Sequence, residues 1–119
     1  MKDPVLAILN RTIKIFSTPT AWIKGTLAKT GRRGRDIDPE NKKAKCFCLI
    51  GGLQRAEHEL KYSDKVYRRA RKYVMEVLPA SFLNNPVGFN DAPSRKHKEV
   101  MSVLRAAAKL RRASLKAAV

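Results

Sequence analysis

The stretch Cys46-Phe47-Cys48-Leu49-Ile50-Gly51-Gly52-Leu53 stands where a polar, basic segment gives way to an amphipathic helix. It holds both cysteines, and two glycines where a helix would not choose them. Glycine inside a helix costs about 1 kcal/mol relative to alanine, so an adjacent pair signals close backbone approach by a neighbouring element or a ligand. At 100° per residue, Cys46, Leu49, Ile50, Leu53, Ala56 and Leu60 fall within about 120° of one another. That pattern predicts a central helix starting between Ala44 and Cys48 with this face inward. Cys48 falls off the face. An early start leaves it exposed or wedged against another element. A late start puts it in the first turn, where the positive end of the dipole lowers a thiol pKa. A small buried hydrophobe is the commoner fate of a free cysteine.

Upstream, Asp3-Pro4 reads as a helix start, with Asp as N-cap and Pro at the first helical position. Val5, Leu6, Leu9, Ile13 and Phe16 then recur at helical spacing until Ser17-Thr18-Pro19 ends the run. Thr20 to Gly25 fits either a helical turn or a brief strand, and Trp22 within it reads first as a core anchor. Residues 30–43 form a polar, basic loop with room for a small hairpin. Within it the glycine-flanked Arg32, Arg33 and Arg35 fit either a phosphate-tracking segment that orders on binding or a solvated loop.

Downstream, Ser63 caps a helix running to about Leu78. Val66, Tyr67, Ala70, Tyr73, Val74, Val77 and Leu78 make its inner face; Arg68, Arg69, Arg71 and Lys72 make the outer one. Residues 79–93 read as a connector rich in turn formers, packed down by Phe82, Leu83, Val87 and Phe89. Ser94 then caps a basic helix over 95–119. Its buried stripe is Val100, Val103, Leu104, Ala107, Leu110 and Leu115, with Arg111 intruding. Arg105, Lys109, Arg112 and Lys116 lie within about 60° of one another on the opposite side. After Glu99 this segment contains no acid.

These segments describe an all-α fold: one domain over 1–119, with about four helices. At 119 residues and 44% apolar content the chain supports a single modest core. No apolar run approaches the roughly 20 residues that span a bilayer. The N-terminus lacks the order of a signal peptide, so an intracellular location is expected. Two cysteines one residue apart are no disulfide scaffold. Neither His58 nor His97 sits at metal-ligand spacing from them, so no metal and no cofactor is expected.

Charge carries the strongest functional signal. Twenty-six Lys and Arg against ten Asp and Glu give a net +16 and a pI near 10.5. Self-repulsion of that size calls for an anionic partner, and nucleic acid or a nucleoprotein complex is the commonest. An acidic protein is the alternative. A membrane surface ranks third, because the apolar stripe of the last helix is needed for the core. No complete catalytic constellation is visible, which favours binding over catalysis.

The run of Trp22-Ile23-Lys24-Gly25, then Phe47-Cys48-Leu49-Ile50-Gly51-Gly52-Leu53, then Phe89-Asn90-Asp91 ahead of a final helix resembles an uncharacterised family of short phage and actinobacterial proteins. In that family the order is W-x-x-G, then [FW]-C-x-x-G-[AG]-[LI], then [WF]-N-D. The resemblance spans about residues 5 to 110. It implies a mostly helical fold, a phage or mobile-element setting inside a bacterial cell, and roles in host takeover or anti-defence, but no established activity. It singles out Trp22, Gly25, Cys48, Gly51, Asn90 and Asp91. A second expectation follows: a nucleotide-like ligand held by Trp22, Cys48, Gly51, Asn90 and Asp91, with Cys48 and Asp91 as the candidate reactive groups.

Overall fold

The computed structural model describes residues 3–118. Its chain order is α1 (Pro4–Ile15), a 3-10 turn at Pro19–Ala21, β1 (Ala28–Lys29), β2 (Cys46–Phe47), α2 (Leu49–Leu60) and α3 (Asp64–Glu76). A second 3-10 turn at Ala80–Phe82, then α4 (Pro86–Asp91) and α5 (His97–Ala117), complete it. The protein is mostly helical, as the periodicity predicts, with five α-helices among the described residues instead of about four.

Helix α1 is the packing centre, lying against α2, α3 and α5. Its start is the one the sequence predicts: the Asp3 carboxylate accepts from the Leu6 N–H at 2.8 Å, with Pro4 at the first position. Val5, Ile8 and Leu9 of α1 and Phe16, its C-cap, meet Leu49, Leu53 and Ala56 of α2, Ala70 and Val74 of α3, and Val100, Leu104 and Ala107 of α5 in one core. Ser63 caps α3, accepting from Val66 N–H.

Several expectations are corrected. Cys46 is not on the central helix; it lies in β2, paired antiparallel with Lys29 of β1. The helix starts late, at Leu49, with Cys48 as its N-cap. The 30–43 segment is folded. Lys29 also bridges Asp36, Thr30 N–H donates to the Arg35 carbonyl, and Arg55 of α2 holds the Pro39 and Asn41 carbonyls at 3.1 and 2.7 Å. The small hairpin is present with Arg32 and Arg33 at its tip. Between Pro79 and Pro93 the chain is not all loop: Asn85 accepts from Gly88 N–H and, with Pro86 at the first position, starts α4.

Leu83 and Val87 do not pack that segment down; they are 72% and 51% exposed. Ser94 does not cap α5, which opens at His97 with the Glu99 carboxylate accepting from Lys96 N–H at 2.8 Å. Leu110, assigned to the buried stripe, sits at its edge and is 37% exposed, whereas Arg111 is buried at 8%. The reason is pairing. Arg111 donates to both oxygens of Asp3, at 2.8 and 2.6 Å, and to the Tyr73 hydroxyl at 3.1 Å.

Candidate functional site

Two places collect the residues the sequence singles out. The first is the N-terminus of α2. Asn90, 1% exposed, reaches it from the end of α4. Its Oδ1 accepts from Leu49 N–H at 2.9 Å and from the Trp22 indole at 2.6 Å. Its Nδ2 donates to the Ile23 carbonyl at 3.0 Å and to Asp91 Oδ1 at 2.8 Å. Asp91 Oδ1 also accepts from Gly25 N–H at 3.1 Å. One amide side chain therefore ties three segments that are distant in sequence, and an orphan N–H of α2 is satisfied on the way.

The glycines of α2 answer to close approach by protein. A Cβ on Gly51 would collide with the Leu27 carbonyl oxygen, and one on Gly52 would sit 2.5 Å from the Phe16 ring. Leu27 can come so close because its carbonyl also accepts from Cys48 N–H at 3.1 Å. Cys48 caps α2 through its sulfur, which accepts from Gly51 N–H at 3.3 Å. Burial pushes this thiol above its ordinary pKa, and the Asp91 carboxylate adds to the rise; the cap N–H groups pull the other way and lose. The thiol is neutral and enclosed, the opposite of the activated thiolate that a dipole effect alone would give.

Trp22, Gly25, Cys48, Gly51, Asn90 and Asp91 are thus brought together, and their hydrogen-bonding groups are directed at one another. Neighbouring contacts connect the cluster to the start of α5. Lys24 donates to the Ala92 and Pro93 carbonyls at 2.7 and 3.3 Å. His97, the first residue of α5, contacts the Phe16 carbonyl through Nε2 at 2.6 Å, with its ring 6.5 Å from that of Trp22. The cluster pins the segment leading into α5 and so sets where that helix begins.

The second place is the outer face of α5. Arg105, Lys109, Arg112 and Lys116 are all exposed. Lys98, seven residues before Arg105, falls on the same face and extends the row to five cations over about 27 Å of helix. Among the described residues, none of the five has a carboxylate within 4.0 Å: the ion pairs present are Arg11 and Arg55 with Glu59, His58 with Glu40, Arg68 with Asp64, Arg95 with Glu99, and Arg111 with Asp3. Arg105 and Lys98 also line a groove of about 350 Å³ against α1, where Lys14, Asn10 and Ser17 face them. Lys14 escapes a reading confined to one helix segment at a time, whereas Lys98 belongs to the same segment as Arg105. The seven-residue step from 98 to 105 was the available signal for Lys98; nothing local to α1 marks Lys14.

The other predicted cations are dispersed. Arg68 is paired with Asp64 at 2.8 Å. Arg68, Arg71 and Lys72 line a separate groove beside Leu83. Arg69 lies on the opposite flank of α3, close enough to depress the Asp3 and Tyr73 pKa values, behind the larger hydrogen-bond effects of Arg111 on Asp3 and of Ser114 on Tyr73. Arg32, Arg33 and Arg35 are exposed on the hairpin, where Arg32 lines a cavity of about 280 Å³ with Trp22, Lys24 and Lys29.

Among the described residues no three His, Cys, Asp or Glu come together to hold a metal ion, and no helix is long and apolar enough to cross a membrane. No curated protein and no solved structure matches this chain. A family of unknown function (DUF6197) matches it over residues 1–110, and the chain belongs to that family.

Proposed function

We propose that this protein binds the phosphate backbone of a nucleic acid along the outer face of α5. The observation that carries the reading is the row Lys98, Arg105, Lys109, Arg112 and Lys116, free of carboxylate partners among the described residues. Cations three, four and seven residues apart on a helix stand in line, a spacing that lets successive side chains meet successive phosphates. The groove holding Lys14 beside Lys98 and Arg105 adds a charge from α1 to one end of the row. Such contacts give affinity and register without base readout. The buried cluster around Asn90 is the scaffold that orients this face, so a nucleotide-like ligand at Cys48, Asn90 and Asp91 is the weaker reading.

The phage setting implied by the sequence resemblance fits a protein that handles a genome or nucleoprotein complex during host takeover or anti-defence. The test is binding of labelled single- and double-stranded oligonucleotides by the protein and by the variant Arg105→Gln/Lys109→Gln/Arg112→Gln. Affinity falling by about tenfold or more, with the variant's fold intact, supports the reading; unchanged affinity rejects it.

A further inference from the structure

The groove between α3 and the segment after it differs in kind from the α5 face. It has a volume of about 630 Å³, an apolar floor of Met75 and Leu78 with the exposed Leu83 at its edge, and a rim carrying Arg68, Arg71 and Lys72, with Glu76 the only acid lining it among the described residues. Leu83 is the most exposed large hydrophobic residue described, at 72%, and Val87, four positions on, is 51% exposed. Arg71 supplies an independent sign: its Nε is buried and has no hydrogen-bond partner. Buried donors are almost always paired in native proteins; with no carboxylate within 4.0 Å among the described residues, the Arg71 guanidinium is left to an anionic occupant toward which its side chain turns.

We propose that this groove docks an acidic amphipathic segment of a partner protein. The segment seats a large apolar side chain over Met75, Leu78 and Leu83 while its carboxylates meet Arg71 and Lys72; Arg68, paired with Asp64, flanks them. Charge complementarity selects the occupant. Arg71 and Lys72, with no carboxylate within 4.0 Å among the described residues, stand beside an apolar surface and match carboxylates flanking a Leu, Phe or Met, the arrangement found on amphipathic helices that enter grooves. Arg71 suits this role because the planar guanidinium takes a carboxylate in two parallel bonds. A nucleic acid fits less well: its strands bind apolar surface by stacking on aromatic rings, and this groove is lined by none. The inference is independent of the α5 reading and gives the protein a second, chemically distinct face.

The test is a selection of random peptides of about 16 residues, roughly four helical turns, against the intact protein, with the selected peptides then measured on Leu83→Ser and Lys72→Glu. Both positions are exposed, so both variants keep the fold. The expected result is enrichment of Asp and Glu around a Leu, Phe or Met, with affinity lowered about tenfold or more in each variant and oligonucleotide binding unchanged in Leu83→Ser. Selected peptides without that pattern, or indifferent to Leu83→Ser, overturn the proposal. So does Leu83-dependent binding of oligonucleotides or of phosphatidylglycerol vesicles, because the groove then belongs to a nucleic acid or a lipid surface.

Discussion

Arg111 and Asp3, 108 residues apart, form a bidentate pair in which Nε and Nη2 of the guanidinium reach the two carboxylate oxygens at 2.8 and 2.6 Å. The pair joins the first turn of α1 to the last third of α5. The same carboxylate caps α1, so one side chain both starts a helix and neutralises the cation that would otherwise sit unpaired in the core. Because Arg111 is consumed in this way, it cannot serve the outer cationic face, from which its side chain is turned.

The hydrogen bonds from Arg111 are the largest influence holding the Asp3 carboxyl below its ordinary pKa, against the opposing effect of burial. A carboxylate with a depressed folded-state pKa contributes stability that is present above the unfolded value and lost as pH falls through the folded one. Thermal stability of the wild type should therefore decline below about pH 4. Asp3→Asn keeps the cap but leaves Arg111 uncompensated. It should lose about 3 kcal/mol at neutral pH, a fall of roughly 10 °C in Tm, with a flatter acid limb. Calorimetry of both proteins from pH 3 to pH 7 checks this.

Asn90→Ala should destabilise the protein by roughly 2–4 kcal/mol, because the Leu49 and Trp22 N–H groups and the Ile23 carbonyl all lose their partner. Urea titration followed by Trp22 fluorescence measures the loss. A change below half a kcal/mol would mean that the amide is not the joint described above.

Gly51→Ala should cost about 1–3 kcal/mol, since the added methyl meets the Leu27 carbonyl, which is already committed to Cys48 N–H. Helix propensity alone predicts the reverse sign. Comparison of chemical denaturation midpoints for the two proteins decides between them.

Alkylation of Cys48 in the folded protein should be slow at neutral pH and accelerate only well above pH 8, because burial raises its pKa. Cys46, also raised first by burial, should behave alike. Iodoacetamide labelling resolved by mass spectrometry, with the unfolded chain as reference, reads both sites. Rapid labelling of Cys48 at neutral pH would restore the reactive-thiol reading.

Much of this fold is legible in the sequence. Asp3-Pro4 and Ser63 mark helix starts because capping chemistry is local. The adjacent Gly51 and Gly52 announced a close approach, although the approaching groups, Leu27 and Phe16, lie too far along the chain to be read. Periodicity assigns Cys46 to the helix because a two-residue strand has no period of its own and its position extends the helical stripe by chance. Asn85-Pro86, a capping signature like Asp3-Pro4, was hidden among the turn-forming residues around it. Arg111 was visible only as an anomaly. Its partner is at the other end of the chain, so spacing could mark the intrusion without explaining it. The outward row on α5 reads as four cations, and the seven-residue step back from Arg105 marks Lys98 as the fifth; the neighbouring Lys14 emerges only once α1 and α5 lie side by side.

The central claim is that the α5 cations act together on phosphates, and the salt dependence of oligonucleotide affinity tests it most directly. Five neutralised phosphates predict a slope of log K against log salt of about −4.5 on duplex and about −3.5 on a single strand. Arg105→Gln/Lys109→Gln/Arg112→Gln should bring the slope about 2.7 units closer to zero on duplex and about 2 units on a single strand. A slope near zero in the wild type, or one that the three substitutions leave unchanged, would contradict the account.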